Sequence, residues 1–346
     1  MIASLNELAL NILRGINNVV GNYGWSIVVF TVLIRLVLSP FDFKSRVGMR
    51  KMSSLSTKQA ELQRKYGKDQ AKLNQKLSEL YKKEGASPMS GCLPMLLSYP
   101  ILIWMFTAMR AFANEQVVRQ VLDVLQNPET MPVLDSWLWI KNLWMPDSPF
   151  ASALVDLNTL RQVPTDVWTR LVSAESLQQV AALHPDLAAL TMDSFGQSNL
   201  SATIQLVYNT LSQTPVYIQN AGGLPGWSNI PLLFFSISIM KEFNGLLILP
   251  ILSSVSQFFM SAILGNQTPQ PAAGTQQQQQ SQQSTANFMK WFFPIFSLWI
   301  CVTSNAAFAL YWVTSNLIMT GISFIINKYL DSKDTKNTVS GEASIK

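Results

Sequence analysis

Histidine occurs once in this chain of 346 residues and cysteine twice. That scarcity excludes most metal and redox chemistry. His184 alone completes no ligand set, and Cys92 and Cys301, each beside or within an apolar segment, offer neither a disulfide framework nor a metal-binding spacing. Both cysteines read as small buried apolar side chains, and His184, next to Pro185 in a polar stretch, as a surface residue. Charge is scarce too: 13% of residues are charged and 48% hydrophobic, where soluble domains carry about 25% charge. Such a chain belongs in a membrane. Its ten Trp and eighteen Phe, many near the ends of apolar runs, suit the headgroup zone.

The first twenty residues lack a basic start and an unbroken apolar core and include Glu7, so they do not read as a signal peptide. Leu5, Leu8, Ala9, Ile12, Leu13, Ile16, Val19 and Val20 recur at three- and four-residue spacing, with Asn6, Glu7, Asn11, Arg14, Asn17 and Asn18 opposite. The pattern predicts an amphipathic helix over 1–21 lying in the membrane surface. Five segments, 22–40, 93–112, 245–264, 288–305 and 306–330, have the length and apolar character of spans, for which about 20 residues are needed. The last two are one run split near Ser304 and Asn305, a tight helical hairpin. Residues 229–240, NIPLLFFSISIM, are apolar but too short to span and read as interfacial or reentrant.

Residues 41–87 hold twelve Lys and Arg against five Asp and Glu, a net of +7, whereas 111–243 hold five against eleven, a net of −6. Positive loops stay in the cytoplasm, so the first loop is expected inside, the long second region (113–244) outside, the amino terminus outside and the carboxyl terminus inside. Within the first loop, 42–65 and 68–84 are rich in helix formers and Gly67 interrupts them where a C-terminal cap is expected, which predicts a cytoplasmic helical hairpin. That hairpin reads as a solvated face, or as a docking surface for anionic lipid, ribosomal RNA or a nascent chain. Residues 265–287, with the run Gln276 to Gln280, read as a flexible cytoplasmic loop, and the polar tail 331–346 as disordered.

Within the first span stands a cation, Arg35, in GWSIVVFTVLIRLVLSP. A charge in hydrocarbon costs about 2.5–3.5 kcal/mol on insertion scales, so it marks a candidate functional site. Residues four apart share a helix face, which aligns Tyr23, Ile27, Thr31, Arg35 and Ser39. Ser253, Ser256, Gln257 and Ser261 in the third span, with Tyr311, Thr314, Ser315, Asn316 and Thr320 in the fifth, add enough polar groups to line a wet cavity. Two readings stay open. Arg35 lies five residues before Pro40, about 7.5 Å along the axis, within snorkelling reach of the inner headgroups, or it serves a polar groove. No Asp or Glu falls in any of the five spans. That counts against an ion-coupled transporter and, with no catalytic constellation at membrane depth, against a hydrolase. The chain is therefore not read as an enzyme, and neither a cofactor nor a DNA partner is expected.

Three stretches resemble the YidC family of membrane protein insertases. NYGWSIVVFTVLIRLVLSPF (22–41), arginine included, resembles its first core span; GCLPMLLSYPILIWMF (91–106) its second; and ALYWVTSNLIMTG (309–321) its last. FFPIF at 292–296, LPIL at 249–252 and the pair Pro146-Asp147 agree. The resemblance is to the Gram-positive type, with mitochondrial and chloroplast relatives. It implies an all-α integral membrane protein with five transmembrane helices around a hydrophilic groove and a cytoplasmic helical hairpin, located in the plasma membrane. The implied function is to move nascent membrane proteins into the bilayer without nucleotide hydrolysis. In this family the arginine of the first span faces the groove, which maps onto Arg35, and Tyr311 and Trp312 take groove-side aromatic positions. The expected substrate groove comprises Arg35, Thr31, Ser39, Gln257, Tyr311, Trp312, Ser315 and Asn316. Its partners would be nascent membrane proteins and membrane lipids, with the ribosome and the Sec translocon as further candidates.

This sequence departs from that pattern in several places. From 148 to 248, 101 residues intervene where the family passes quickly to its third span, read as an added outer subdomain with helices near 165–182 and 198–213. Gln257 lies one helical turn before the family's usual glutamine. The tail is short and nearly neutral where some relatives carry a long basic, ribosome-engaging one. The extra leading span and large outer domain of Gram-negative versions are missing, which points to a cell with a single membrane. The competing reading is a lipid-handling scramblase, since a polar groove open to lipid would also admit headgroups. A small-solute transporter ranks third.

Overall fold

The computed structural model describes residues 2–85, 93–221, 227–231, 236–240, 242–265 and 276–343. Its helices are α1 (Ile2–Val20), α2 (Tyr23–Ser54), α3 (Ser56–Tyr66), α4 (Gln70–Glu84), α5 (Leu93–Gln126), α6 (Leu157–Arg161), α7 (Thr165–Leu171), α8 (Ala174–Leu183), α9 (Leu200–Ser212), α10 (Pro215–Ala221), α11 (Ile248–Gly265), α12 (Gln276–Thr303) and α13 (Ala306–Ala343). Two strands, β1 (Trp227–Pro231) and β2 (Ser236–Met240), form an antiparallel ribbon with Trp227 opposite Met240. The fold is thus mostly helical, with that ribbon as the exception to the all-α expectation. It occupies much of the segment 229–240 that reads as interfacial or reentrant, of which 232–235 lie outside the described residues. Alternation of Ser and Ile through Ser236, Ile237, Ser238 and Ile239 has the two-residue period of a strand.

Among the described residues, two helices are long and apolar enough to cross a bilayer, Tyr23–Ser54 and Ala306–Ser332. Ile248–Met260 and Lys290–Thr303 are apolar but shorter. The chain divides into two compact units, one of Met1–Phe30, Trp104–Ile251 and Trp299–Tyr311, the other of Thr31–Ile103, Leu252–Leu298 and Trp312–Lys346.

In the first unit, α1 buries Ala9, Leu10 and Leu13 while Leu8, Ile12 and Val19 face outward, so its apolar face is shared between packing and the surroundings. Its polar residues are tied down as well. Arg14 pairs with the buried Glu115 of α5 at 2.6 Å, Arg170 of α7 reaches the other oxygen of Glu115 at 2.6 Å, and Arg170 also meets Glu7 at 3.3 Å. The helix expected over 165–182 is two, α7 and α8, parted at Val172 and Ser173, where Ser173 and Ser176 form a reciprocal cap. The one near 198–213 is α9, and Trp168 stacks on Phe195 at 5.5 Å beneath it. His184 is less of a surface residue than its sequence context suggests: it is half-buried and its Nε2 lies 2.8 Å from the Leu125 carbonyl oxygen at the end of α5. Trp137 packs edge-on against Trp25 and so close to Gly24 that a Cβ there would stand 2.2 Å from its ring.

In the second unit, α2 does not end with the first apolar run. It continues through Pro40 to Ser54, so the hairpin arm expected over 42–65 is split at Leu55 and only α3 and α4 form the hairpin. Proline cannot donate to the carbonyl four residues back. The Ser39 hydroxyl donates to that carbonyl, Leu36 O, at 2.8 Å instead, which lets the helix run on. Gly67 follows α3 but keeps a right-handed φ of −61°, so it is not the left-handed cap expected; Gly85, at φ 58°, closes α4 that way. Lys58 and Glu84 pair at 2.7 Å across the hairpin, and the hydrogen bond from Lys58 holds the exposed Glu84 carboxyl below its ordinary value.

Two further expectations change. The glutamine run belongs to α12, which begins at Gln276, while 266–275 lie outside the described residues; likewise α13 continues into the polar tail as far as Ala343, with 344–346 outside them. Glutamine is a good helix former, and extending a helix already nucleated by an apolar segment costs far less than starting one. The break between α12 and α13 falls at Ser304 and Asn305, where the Asn305 side chain accepts from Phe308 N at 2.9 Å. Cys301 is buried; Cys92 and Gly91, the start of the second resemblance stretch, lie outside the described residues, as do the hairpin's last two residues, 86 and 87.

Candidate functional site

Seven of the eight candidate groove residues belong to the second unit; Tyr311 belongs to the first, where it is buried against Phe308 with ring centroids 6.3 Å apart. On α2, Thr31 is fully buried, Arg35 and Ser39 are half-buried, and Leu33, Leu36 and Val37 face outward. The polar stripe is therefore the face turned into the protein. Arg35 Nε donates to Ser315 Oγ of α13 at 2.8 Å, and Nη2 donates to the same oxygen. Among the described residues no carboxylate lies within ion-pairing distance of Arg35. Ser315 and Asn316 are buried, and Asn316 Nδ2 donates to Ser256 Oγ of α11 at 3.3 Å. Trp312 Nε1 donates to Ser297 Oγ of α12 at 2.6 Å, Ser253 Oγ donates to Ser297 O at 3.2 Å, and Gln257 is buried. The Ser39 hydroxyl is committed to its own helix.

A longer polar seam emerges that the sequence reading missed. Arg46 donates to Ser323 Oγ, and Arg50 reaches Asn327 O at 3.1 Å and the Asp331 carboxylate at 2.5 Å. The separations from Arg35 to Ser315, Arg46 to Ser323, and Arg50 to Asn327 and Asp331 are 280, 277, 277 and 281 residues. So constant an offset means that α2 and α13 run parallel and in register within this unit. The signal was present: Arg35, Ser39, Asp42, Arg46 and Arg50 keep helical spacing on one side, and Ser315, Ser323, Asn327 and Asp331 on the other. Asp42 stands within electrostatic reach of both Arg35 and Arg46.

The first unit holds a polar cluster of another kind. Asn244 Nδ2 donates to the carbonyls of Asn142, Met145 and Pro146 at 2.8, 3.1 and 2.9 Å, and Asn244 Oδ1 accepts from Asn142 N at 2.7 Å. Asp147, fully buried, accepts from Leu246 N and Leu249 N at 2.8 Å each and so caps the start of α11. Ala306 N and Ala307 N at the start of α13 donate to Met145 O and Leu143 O at 2.9 Å each. This segment, Pro146-Asp147 included, closes the open amides at two helix starts. It is a structural clamp.

Residues 15–334 match the 60Kd inner membrane protein family. Part of the chain is similar to Membrane protein insertase YidC of Campylobacter jejuni, at 45% identity over 89 residues, 26% of this chain and 17% of that protein. It is also similar to the protein of that name from Wolinella succinogenes, at 38% over 130 residues, 38% of this chain and 21% of that one. The same name belongs to a match from Caldanaerobacter subterraneus, at 45% over 101 residues, 29% of this chain and 49% of that protein. The chain thus spans about a fifth of the length of the first two relatives and about half of the third.

Proposed function

The chain belongs to the 60Kd inner membrane protein family, that of the YidC insertases, and from this premise we propose that it moves newly made membrane proteins into the bilayer, with Arg35 as the group that receives them. The observation that carries the reading is a half-buried cation whose Nε and Nη2 rest on a single serine hydroxyl. A hydrogen bond to a charged group contributes about 1.5–3 kcal/mol, comparable with the cost of holding arginine in an apolar layer, so Ser315 keeps the cation tolerable. A carboxylate adds the opposite charge and takes two parallel N–H bonds from a guanidinium, where a hydroxyl offers one neutral oxygen. An acidic tail of a guest therefore displaces Ser315, and Ser315 recovers the guanidinium when the guest leaves.

Thr31, Gln257, Trp312, Ser315 and Asn316 supply the remaining polar lining, and the guest's apolar helix leaves by burying surface in lipid at about 25 cal/mol per Å². No covalent step and no nucleotide enter this scheme. Five spans, an outer amino terminus and an inner carboxyl terminus fit it: the parallel run of α2 and α13 suits first and fifth spans crossing in the same direction, and the net +7 of residues 41–87 suits the cytoplasmic side.

The test uses purified protein in liposomes with single-span guests whose outer tails are acidic or neutral. Arg35→Ala is expected to lower insertion of the acidic guest roughly 10- to 100-fold, from the loss of a charged hydrogen bond, while Arg35→Lys retains much of the activity. Full activity of the alanine variant would overturn the role of Arg35. Lipid flipping without insertion would favour the scramblase.

A further inference from the structure

Leu138 holds a backbone conformation that its side chain disfavours. It is the first of two central residues in a turn that Trp137 and Ile140 close with reciprocal backbone hydrogen bonds of 2.9 Å, and its φ is 49°. Two-residue turns of this kind favour glycine or asparagine where φ is positive, because a Cβ there crowds the following carbonyl. Such strain persists only where the surroundings offset it. Packing within the protein does not, since Leu138 is 66% exposed.

The turn is nevertheless held firmly. Ser136 O accepts from Asn22 Nδ2 at 3.0 Å, Trp139 Nε1 donates to Asp147 Oδ2 at 3.3 Å, and Trp137 is buried against Gly24. What surrounds it names the occupant. Trp25, Val29 and Leu33 recur every four residues on α2 and are exposed, an apolar stripe that begins where the first apolar run begins. Trp137 packs edge-on against Trp25 with ring centroids 5.5 Å apart, which sets its neighbour Leu138 beside the outer end of that stripe. Residues 136–140, SWLWI, carry no charge. At the edge of a span such a tip meets the boundary of headgroups and acyl chains, where tryptophan settles and an exposed leucine leaves water.

We propose that the Trp137–Ile140 turn is a lipid anchor, in which Leu138 enters the bilayer beside the start of α2 and fixes the depth of that helix, an assignment that rests on residues 22–40 crossing the membrane. Removing the leucine from water offsets the strain of its backbone. Glycine at 138 would relax the turn and forfeit the lipid contact. Because Trp137 touches Gly24 and Trp25, depth set at the tip passes directly to the first turn of α2.

Nitroxides on single cysteines at Leu138, Leu33 or Leu183, in the full chain with Cys92 and Cys301 replaced by alanine, test this in phosphatidylcholine and phosphatidylglycerol vesicles. Oxygen concentrates in lipid and a nickel chelate stays in water, so their collision rates report where each label lies. Leu183 of α8, itself 51% exposed, is the control for exposure alone. Oxygen collisions should prevail at 138 and 33, and nickel collisions at 183. Nickel prevailing at 138 with oxygen at 33 would overturn the anchor and leave the span and the insertase reading intact; nickel prevailing at 33 would remove the premise itself. Exclusion of both reagents at 138 would put protein over the tip and overturn lipid as its occupant. Leu138→Asn keeps a residue that accepts the left-handed region but removes the apolar contact. It should move a label at Val29 toward the headgroups, read as a lower oxygen-to-nickel ratio, and an unchanged ratio would refute the control of depth.

Discussion

Both units bury polar side chains, but they finish them differently. In the first, Asn142, Asn244, Asp147 and Glu115 are each closed by several partners, and among the described residues the buried side-chain atoms without a partner are the indole N–H groups of Trp104, Trp137 and Trp168. In the second, the unpartnered atoms include carboxylate, hydroxyl, amide and guanidinium groups, and Arg35 rests on a hydroxyl. A buried polar network that is fully satisfied fixes one structure, while one left open is ready to exchange partners. The contrast is one of completion: these groups are closed by partners in the first unit and left partly open in the second.

The largest expected effect breaks the first half of that contrast. Asn244→Ala removes the acceptor for Asn142 N and the donor for three carbonyls, and should destabilise the chain by about 3 kcal/mol or more, read as loss of the folded species in detergent on heating. Arg35→Ala, by contrast, should leave the melting temperature nearly unchanged while insertion of acidic guests falls. A variant at Asn244 that melts normally would dissolve the distinction.

Gly24→Ala should cost about 1–3 kcal/mol by overpacking, because the added Cβ meets the Trp137 ring at 2.2 Å. Adding Trp137→Leu should restore part of the loss, and a double variant no better than the single one would show that the close approach is not what requires glycine.

The smallest effect concerns Asp135, whose carboxyl is pushed above its ordinary value by burial, against the opposing bond from Trp144 Nε1 at 2.5 Å. A raised carboxyl is a stability contribution present at acid pH and lost as pH rises through the folded-state value. Asp135→Asn keeps an acceptor for Trp144 without the charge, so it should melt slightly higher than the parent at neutral pH and coincide with it below the usual carboxylate range. Thermal unfolding from pH 3 to 8 measures this, and a variant uniformly less stable would mean that the charge itself is needed.

Much of this was legible in the sequence. Long apolar runs showed where the helices lie, and turn chemistry showed the break at Ser304 and Asn305 because a side-chain acceptor there is worth a cap. Arg35 and Ser315 were both visible as candidates from helical spacing. Their pairing was not, because spacing along one helix carries no register against another 280 residues away. Arg46 and Ser323 were missed for a different reason. Pro40 reads as a helix end, and only the bond from Ser39 to Leu36 O shows that the helix survives it. The ribbon was missed because its apolar content outweighed its two-residue alternation.

The sequence by itself determined the membrane character, the basic and acidic segments, the family and the cation within the first apolar run, since each depends on composition or on local order along the chain. Only the tertiary structure decided which polar groups are closed and which stay open. Asp147 and Asn244 could each have been lining or clamp, and Asp42 a solvated loop charge. Satisfaction of a buried donor or acceptor depends on atoms far apart in sequence, and only packing brings them within about 3 Å.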